Sequence, residues 1–325
     1  RTKNILKLAK HAKYRRIMTG SPVTKSPLDL FSQVQFLDPW LLDQQSYYSF
    51  RARYAVIVQR SVGTHSFQHI VKYQRLDELQ EKIQNFSTRV LKSDCLDLPE
   101  KVYTKRSVSL TPEQLKAYTE MKKAAITFFE ENVMTAASVL TQMIRLHQII
   151  CGHVKTDDGE IKSIKSNRIK ELLEVLEETN GKVIIWAVYR YDIQQIEKTL
   201  GDKYGKESVA TYYGDTKDSI RQSIVDRFMD PDDPLRFFVG NPKTGGYGLT
   251  LTSSHTVVYY SNDYSLEIRL QSEDRAHRIG QTNKVTYVDL IAENTIDEKI
   301  VKALNNKIDL ASQVMGEDPK KILFS

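Results

Sequence analysis

Cysteine is nearly absent: two residues, Cys95 and Cys151, in a chain of 325. They form no disulfide framework, so the fold must rest on burial, and a reducing cytosolic or nuclear setting is the default. Long apolar runs are missing as well. None approaches the roughly 20 residues needed to cross a bilayer, and the basic start lacks a signal peptide's apolar core. A membrane is therefore not an expected partner, and an intracellular location is expected. Acidic residues are missing from the beginning: Arg1, Lys3, Lys7, Lys10, Lys13, Arg15, Arg16 and Lys25 all precede Asp29, the first carboxylate. With a net charge of +6 and a pI near 9.0, this asymmetry favours contact with a polyanion. No Gly-x-x-x-x-Gly-Lys-Ser/Thr loop occurs, since none of the fourteen glycines stands five residues before a Gly-Lys pair. The dipeptides Asp77-Glu78 and Asp297-Glu298 lie in helical patterns with no apolar strand before them. The chain thus lacks the usual cradle for β and γ phosphates and the usual acidic pair for magnesium.

What remains is an ordinary globular composition, 40% apolar and 27% charged, long enough for two domains. Residues 1–45 read as helix, short strand at Arg16 to Met18, turn at Thr19-Gly20-Ser21-Pro22, and a helix opened by Pro27 with Leu30, Phe31 and Val34 on one face. From 46 to 165 the pattern turns mainly helical, with Leu76, Leu79, Ile83 and Phe86 in one period and Leu115, Tyr118, Met121, Ala125 and Phe129 in another. Thr111-Pro112-Glu113-Gln114 supplies a helix cap, and the polar turn Asp157-Asp158-Gly159-Glu160 closes the segment. From 166 to 325 strand-length runs alternate with helices: Val183 to Ala187, Ser208 to Tyr212, Leu235 to Val239, Thr256 to Tyr260 and Val285 to Ile291. That alternation predicts an α/β fold with a parallel sheet covered on both faces and ligand groups at the carboxyl ends of its strands. Thr295-Ile296-Asp297-Glu298 predicts a capping box for the last helix.

The most informative stretch is Gln271-Ser272-Glu273-Asp274-Arg275-Ala276-His277-Arg278-Ile279-Gly280-Gln281. A lone Arg-x-x-Arg is ordinarily a solvated helix face. Here the pair stands on a short helix stopped by Gly280, where two guanidiniums form a charged fork suited to terminal phosphates. An apolar strand upstream ends in the glycine-dense turn carrying Lys243, Thr244, Gly245, Gly246 and Gly248, where missing Cβ atoms admit phosphate oxygens to backbone amides. His147, Cys151 and His153 have the spacing of metal ligands but no second pair at finger spacing, so no metal site is expected.

In this order the residues resemble the Swi/Snf-type, helicase-like ATPases of superfamily two. Met18 to Pro22 is similar to that family's motif III, Lys182 to Arg190 to motif IV, and Tyr213-Gly214 with Arg221 and Phe228 to motif IVa. Val239 to Leu251 resembles motif V and Gln271 to Gln281 motif VI; Leu98 to Lys101 and Leu146 to His153 resemble its linking segments. The resemblance implies a RecA-like second lobe over 166–325, a mainly helical insertion and linker over 46–165, and over 1–45 the tail of the first lobe, whose motifs I and II are expected upstream. It further implies that Arg275 and Arg278 are arginine fingers, with Gly246, Gly248, Gln271, Thr19, Gly20 and Ser21 at the ATP site or its coupling. Lys243, Thr244, Gly245, Gly214 and Arg190 are the implied nucleic-acid contacts. ATP and magnesium, held mainly by the first lobe, double-stranded DNA, and a monomeric state are the implied cofactors, partner and assembly. On this reading the chain does not hydrolyse ATP by itself. The rival reading is a non-catalytic nucleic-acid or protein-binding module derived from such a lobe; a strand-separating or RNA-directed relative stays open. Asn241-Pro242, Thr250 and Tyr264 depart from the family pattern, which puts the backbone contacts near Pro242 in question.

Overall fold

The computed structural model describes residues 2–62, 65–130, 136–156, 158–246 and 248–315. Arg1, Asp157 and Tyr247 lie outside the described residues. Two compact units result: one formed by Arg1–Cys95, Ser265–Glu267 and Leu304–Ser325, the other by Leu96–Tyr264 and Ile268–Ala303. Among the described residues no helix is long and apolar enough to cross a membrane.

Strands are numbered along the chain: β1 Ala55–Val62, β2 His65–Tyr73, β3 Lys101–Ser107, β4 His153–Lys155, β5 Ile161–Ser163, β6 Lys182–Trp186, β7 Val209–Tyr212, β8 Phe237–Gly240, β9 Ser254–Tyr259 and β10 Val285–Ile291. In the second unit six of them form one parallel sheet in the order β3-β10-β9-β6-β8-β7. All five expected strands are present. Their runs are apolar at consecutive positions because both faces are covered, and successive side chains divide between two cores. Val183 and Ile185 of β6, Phe237 and Val239 of β8, and Leu290 of β10 join Leu172, Ile193, Ile196 and Leu200 on one face. Ile184, Trp186, Phe238, Val257 and Tyr287 join Ile224 and Phe228 on the other. Each such fully buried side chain contributes about 1.5–3 kcal/mol. Charged residues within these runs close helix ends. Lys182 donates to the carbonyls of Arg227 and Asp230 at the carboxyl end of the Asp218–Met229 helix, and Arg236 to those of Leu176 and Thr179 at the carboxyl end of the Arg168–Glu177 helix.

The sixth strand, β3, lies in the stretch that reads as mainly helical. It occupies the sheet edge, where Tyr103 stacks on Tyr287 of β10 with centroids 5.2 Å apart while Val102 stays 40% exposed. An edge strand with an open face needs no continuous apolar run, which is why Lys105 and Arg106 disguised it; Lys101 is buried, with its Nζ 3.5 Å from Glu273. Thr111 caps the Pro112–Glu130 helix as expected: its Oγ1 accepts from the Gln114 amide at 3.2 Å, and Gln114 Oε1 accepts in return from the Thr111 amide at 3.2 Å. Thr295 Oγ1 accepts from the Asp297 amide at 3.2 Å.

The first unit packs the Asp29–Leu37, Tyr47–Tyr54 and Leu76–Gln84 helices around Leu30, Val34, Phe50, Tyr54, Leu79 and Ile83, with Ala311 and Val314 of the Ile296–Met315 helix. An antiparallel hairpin, β1 with β2, completes it. The sequence reading passed over this hairpin, although β-branched runs flank Gly63. The short strand expected at Arg16 to Met18 is not formed. Those residues carry no regular structure and no ladder partner among the described residues, and Met18 is 97% exposed; a single strand with nothing to pair with gains no hydrogen bonds.

Candidate phosphate-binding loops at the carboxyl ends of the sheet

Strands β6, β7 and β8 end side by side, and Asn241 ties their ends together. Its backbone amide donates to Tyr212 O at 3.1 Å, its side-chain amide donates to Val188 O at 2.8 Å, and its Oδ1 accepts from the Lys243 amide at 2.9 Å. Asn241 is thus the cap, and Pro242 the first residue, of the one-turn Pro242–Gly245 helix, where a proline's missing N–H costs nothing. The amides of Thr244, Gly245 and Gly246 donate to Asn241 O, Asn241 O and Pro242 O at 3.0, 2.8 and 2.9 Å. Internal acceptors therefore occupy the very amides expected to cradle phosphate. Close packing accounts for the glycines instead: a Cβ on Gly245 would lie 2.7 Å from the Trp186 ring, and one on Gly246 would lie 2.3 Å from Pro242 O. Of the glycines in this turn only Gly248, exposed at φ +74°, has open space around it.

Arg275 and Arg278 are not on the helix. The Leu266–Glu273 helix stops before them, and both sit in the turn that ends at Gly280; its φ of +98° is left-handed, but it closes this turn and not the helix as expected. Their convergence comes from a shared acceptor: Arg275 Nη1 and Arg278 Nη1 donate to Leu249 O at 3.0 and 3.1 Å. Arg275 Nε also donates to the Gln271 carbonyl at 2.8 Å, and the Leu251 amide donates to Arg275 O at 2.9 Å. Among the described residues neither guanidinium is ion-paired with a carboxylate. Burial holds the Arg275 guanidinium below its ordinary pKa; the nearby Asp274 charge opposes this and the Arg278 charge adds to it. The turn is anchored by His277, whose buried Nε2 lies 2.7 Å from Pro99 O. Gln281 anchors it too, its amide donating to the carbonyls of Thr252, Ser254 and Ala276.

Arg269, which the sequence reading missed, fixes the helix leading into this turn. It is buried, donates to Glu273 and Asp289 at 2.7 and 2.6 Å, and lies 3.5 Å from the Tyr259 ring centroid. Its i, i+4 spacing to Glu273 is the one signal in the sequence. Glu273 also accepts from Tyr103 Oη at 2.7 Å.

The remaining candidates fall into two places. Arg190, Gly214, Lys243 and Thr244 follow β6, β7 and β8 and so share one end of the sheet. Arg190 Nη1 lies 3.0 Å from Asp215 Oδ1, a Cβ on Gly214 would stand 3.4 Å from Arg190 Nη2, and Lys243 Nζ lies 2.9 Å from Asp263 Oδ2. Thr19, Gly20 and Ser21 belong to the other unit, where Thr19 and Gly20 are exposed and the Ser21 amide donates to Thr19 Oγ1 at 3.1 Å. Among the described residues no three His, Cys, Asp or Glu side chains are placed to hold a metal ion. His147 instead lies 3.4 Å from Asp297 and His153 3.1 Å from Asp192, both buried.

A parallel sheet with helices on both faces, with Arg190 and Lys243 following the carboxyl ends of its strands, has the architecture of a RecA-like lobe. Comparison with known proteins narrows this. Residues 2–155 match the SNF2-related domain and residues 164–280 the helicase conserved C-terminal domain. The chain is 28% identical over 94% of its length to the SWI/SNF chromatin-remodeling complex subunit snf22 of Schizosaccharomyces pombe, and 28% identical over 93% to the putative ATP-dependent helicase/translocase YwqA of Bacillus subtilis. It spans 19% and 32% of those two proteins. The Sulfolobus solfataricus SWI2/SNF2 ATPase core solved in complex with dsDNA is 26% identical, with a TM-score of 0.53 over 98% of this chain and 68% of that one. The C-terminal part of the Fun30 ATPase domain, 17% identical, shares the fold with a TM-score of 0.52 over 67% of this chain and 97% of its own. The chain belongs to the Swi/Snf-like family of superfamily-two, helicase-type ATPases.

Proposed function

We propose that this chain is the second-lobe part of an ATP-driven translocase on double-stranded DNA. In that reading 1–45 is the tail of the first lobe, 46–165 the family's insertion and linker, and 166–325 the second lobe, which acts as a monomer inside the cell. The observation that supports it best is the convergence of Arg275 and Arg278 on the single carbonyl of Leu249, with no carboxylate pairing either cation among the described residues. Two guanidiniums held around one oxygen acceptor suit a phosphate oxygen in its place, and they do not suit a metal ion. ATP supplies the bond whose cleavage drives the motor. Arg275 and Arg278 exchange Leu249 O for its terminal phosphate and stabilise charge on the transferring group. Magnesium would be held mainly by the nucleotide-binding lobe, where it would offset charge on the phosphates. Gln271, through its carbonyl, holds the Arg275 stem, while Gly246 and Gly248 shape the turn carrying Leu249. Thr19, Gly20 and Ser21 couple the first lobe to this change. Lys243 through Nζ, Thr244, Arg190 and the exposed Gly214 turn contact the DNA backbone, with Gly245 as the packing position beneath. Backbone contact of this kind positions the lobe without reading sequence.

The test is DNA-stimulated ATP turnover by the protein that carries this chain together with a nucleotide-binding lobe. Arg275→Ala and Arg278→Ala should each lower kcat about 10³-fold or more, as loss of an arginine finger does, with DNA affinity retained. The isolated 325-residue chain should stay at background. Unchanged turnover in either variant, or magnesium-dependent turnover by the isolated chain, contradicts the proposal.

A further inference from the structure

The two sets of cations are held in opposite ways. Arg275 and Arg278 rest on a neutral carbonyl, whereas each long cation of the DNA grip is ion-paired: Lys243 with Asp263 at 2.9 Å and Arg190 with Asp215 at 3.0 Å. The pairing crosses between strand ends. Lys243 follows β8 and Asp263 follows β9, while Arg190 follows β6 and Asp215 follows β7. The cations face solvent, with side chains 59% and 67% exposed, so an incoming phosphate can reach them without any change of fold. Asp263, at 18%, is largely covered by the protein, whereas Asp215, at 47%, is itself exposed beside its cation.

We propose that Asp215 and Asp263 are internal phosphate mimics that set the strength of the grip. This rests on the reading above that Lys243 and Arg190 contact the DNA backbone. Binding is then an exchange in which each phosphate displaces a carboxylate from its cation. The displaced carboxylate stays close enough to repel the phosphate and to recapture the cation when the strand leaves. A motor that must release its track at every step gains from this arrangement. Grip strength is limited by residues that touch no DNA, and release needs no new energy source.

The test is fluorescence anisotropy of a labelled DNA duplex with the 325-residue chain, titrated at several salt concentrations. Asp263→Asn and Asp215→Asn should each tighten binding about fivefold, the upper range for a solvent-accessible pair. The double variant should add the two effects. The slope of log K against log salt should stay unchanged, because the number of phosphates contacted is the same. Lys243→Gln should weaken binding and flatten that slope by about 0.9. Asp232→Asn, an exposed carboxylate before the amino end of β8, controls for the gain of net charge and should leave the affinity as it is. If Lys243→Gln behaves as stated while neither Asn variant binds more tightly than Asp232→Asn, the mimic is refuted and the grip stands. If Lys243→Gln changes neither affinity nor slope, the grip itself fails and the mimic with it.

Discussion

At the scale of single residues, the lobe depends on charges placed where burial alone would forbid them. Arg168 is fully buried and survives because Asp297 accepts from its Nη2, while the carbonyls of Tyr260, Leu290 and Ile150 accept from its other nitrogens. Burial pushes the Asp297 carboxyl up, but Arg168 and the His147 side chain outweigh it and bring the pKa down to about 2. The folded-state pKa therefore lies below the unfolded one. Its stabilising contribution is complete above about pH 4 and is lost as pH falls through 2. Asp297→Asn should destabilise the chain by about 3–5 kcal/mol, because it leaves a buried guanidinium uncompensated. It should also remove part of the acid sensitivity between pH 4 and 2, which denaturant melts at several pH values would show. A variant as stable as the parent would mean that the pair contributes nothing.

Among the elements, the short Pro242–Gly245 helix is the one the site depends on, and its geometry is set from below by Trp186. Gly240 and Gly245 both face that ring, each leaving no room for a Cβ. Gly245→Ala should cost about 1–3 kcal/mol through overpacking and lower the thermal midpoint by about 2–10 °C. Pairing it with Trp186→Phe should recover part of the loss, since a smaller ring vacates the contested space; an uncoupled double-mutant cycle would count against this packing. The glycines of this turn were legible in the sequence, but the close packing of Gly245 and Gly246 was not, because a pattern shows where Cβ is absent but not what fills the gap. Its five strands were legible because burial on both faces writes an unbroken apolar run. Strand β3 was not, because an edge position tolerates lysine and arginine. The arginine turn was misread as helix for a related reason: spacing of three suits a helix, yet the chain leaves the helix at Glu273 and the two guanidiniums meet only because Leu249 O lies between them.

For the whole molecule, order along the chain carried more information than any single motif. Strand, glycine turn, strand and arginine turn led to the family before any contact was known. The three-dimensional partners, Asn241 to Val188, Arg269 to Asp289 and Lys243 to Asp263, come from segments 20 or more residues apart and could not be read from spacing. The central claim is that Arg275 and Arg278 act on the transferring phosphate, which ADP lacks. The most direct measurement compares ADP with ADP bound to a planar metal-fluoride mimic of that phosphate. It uses the protein that carries this chain with its nucleotide-binding lobe, as the parent and as the Arg275→Lys, Arg278→Lys double variant. Lysine keeps the charge but loses the fork. The account requires about a hundredfold or greater loss of affinity for the mimic, with ADP affinity within about twofold of the parent. Equal affinity of parent and variant for the mimic would contradict it.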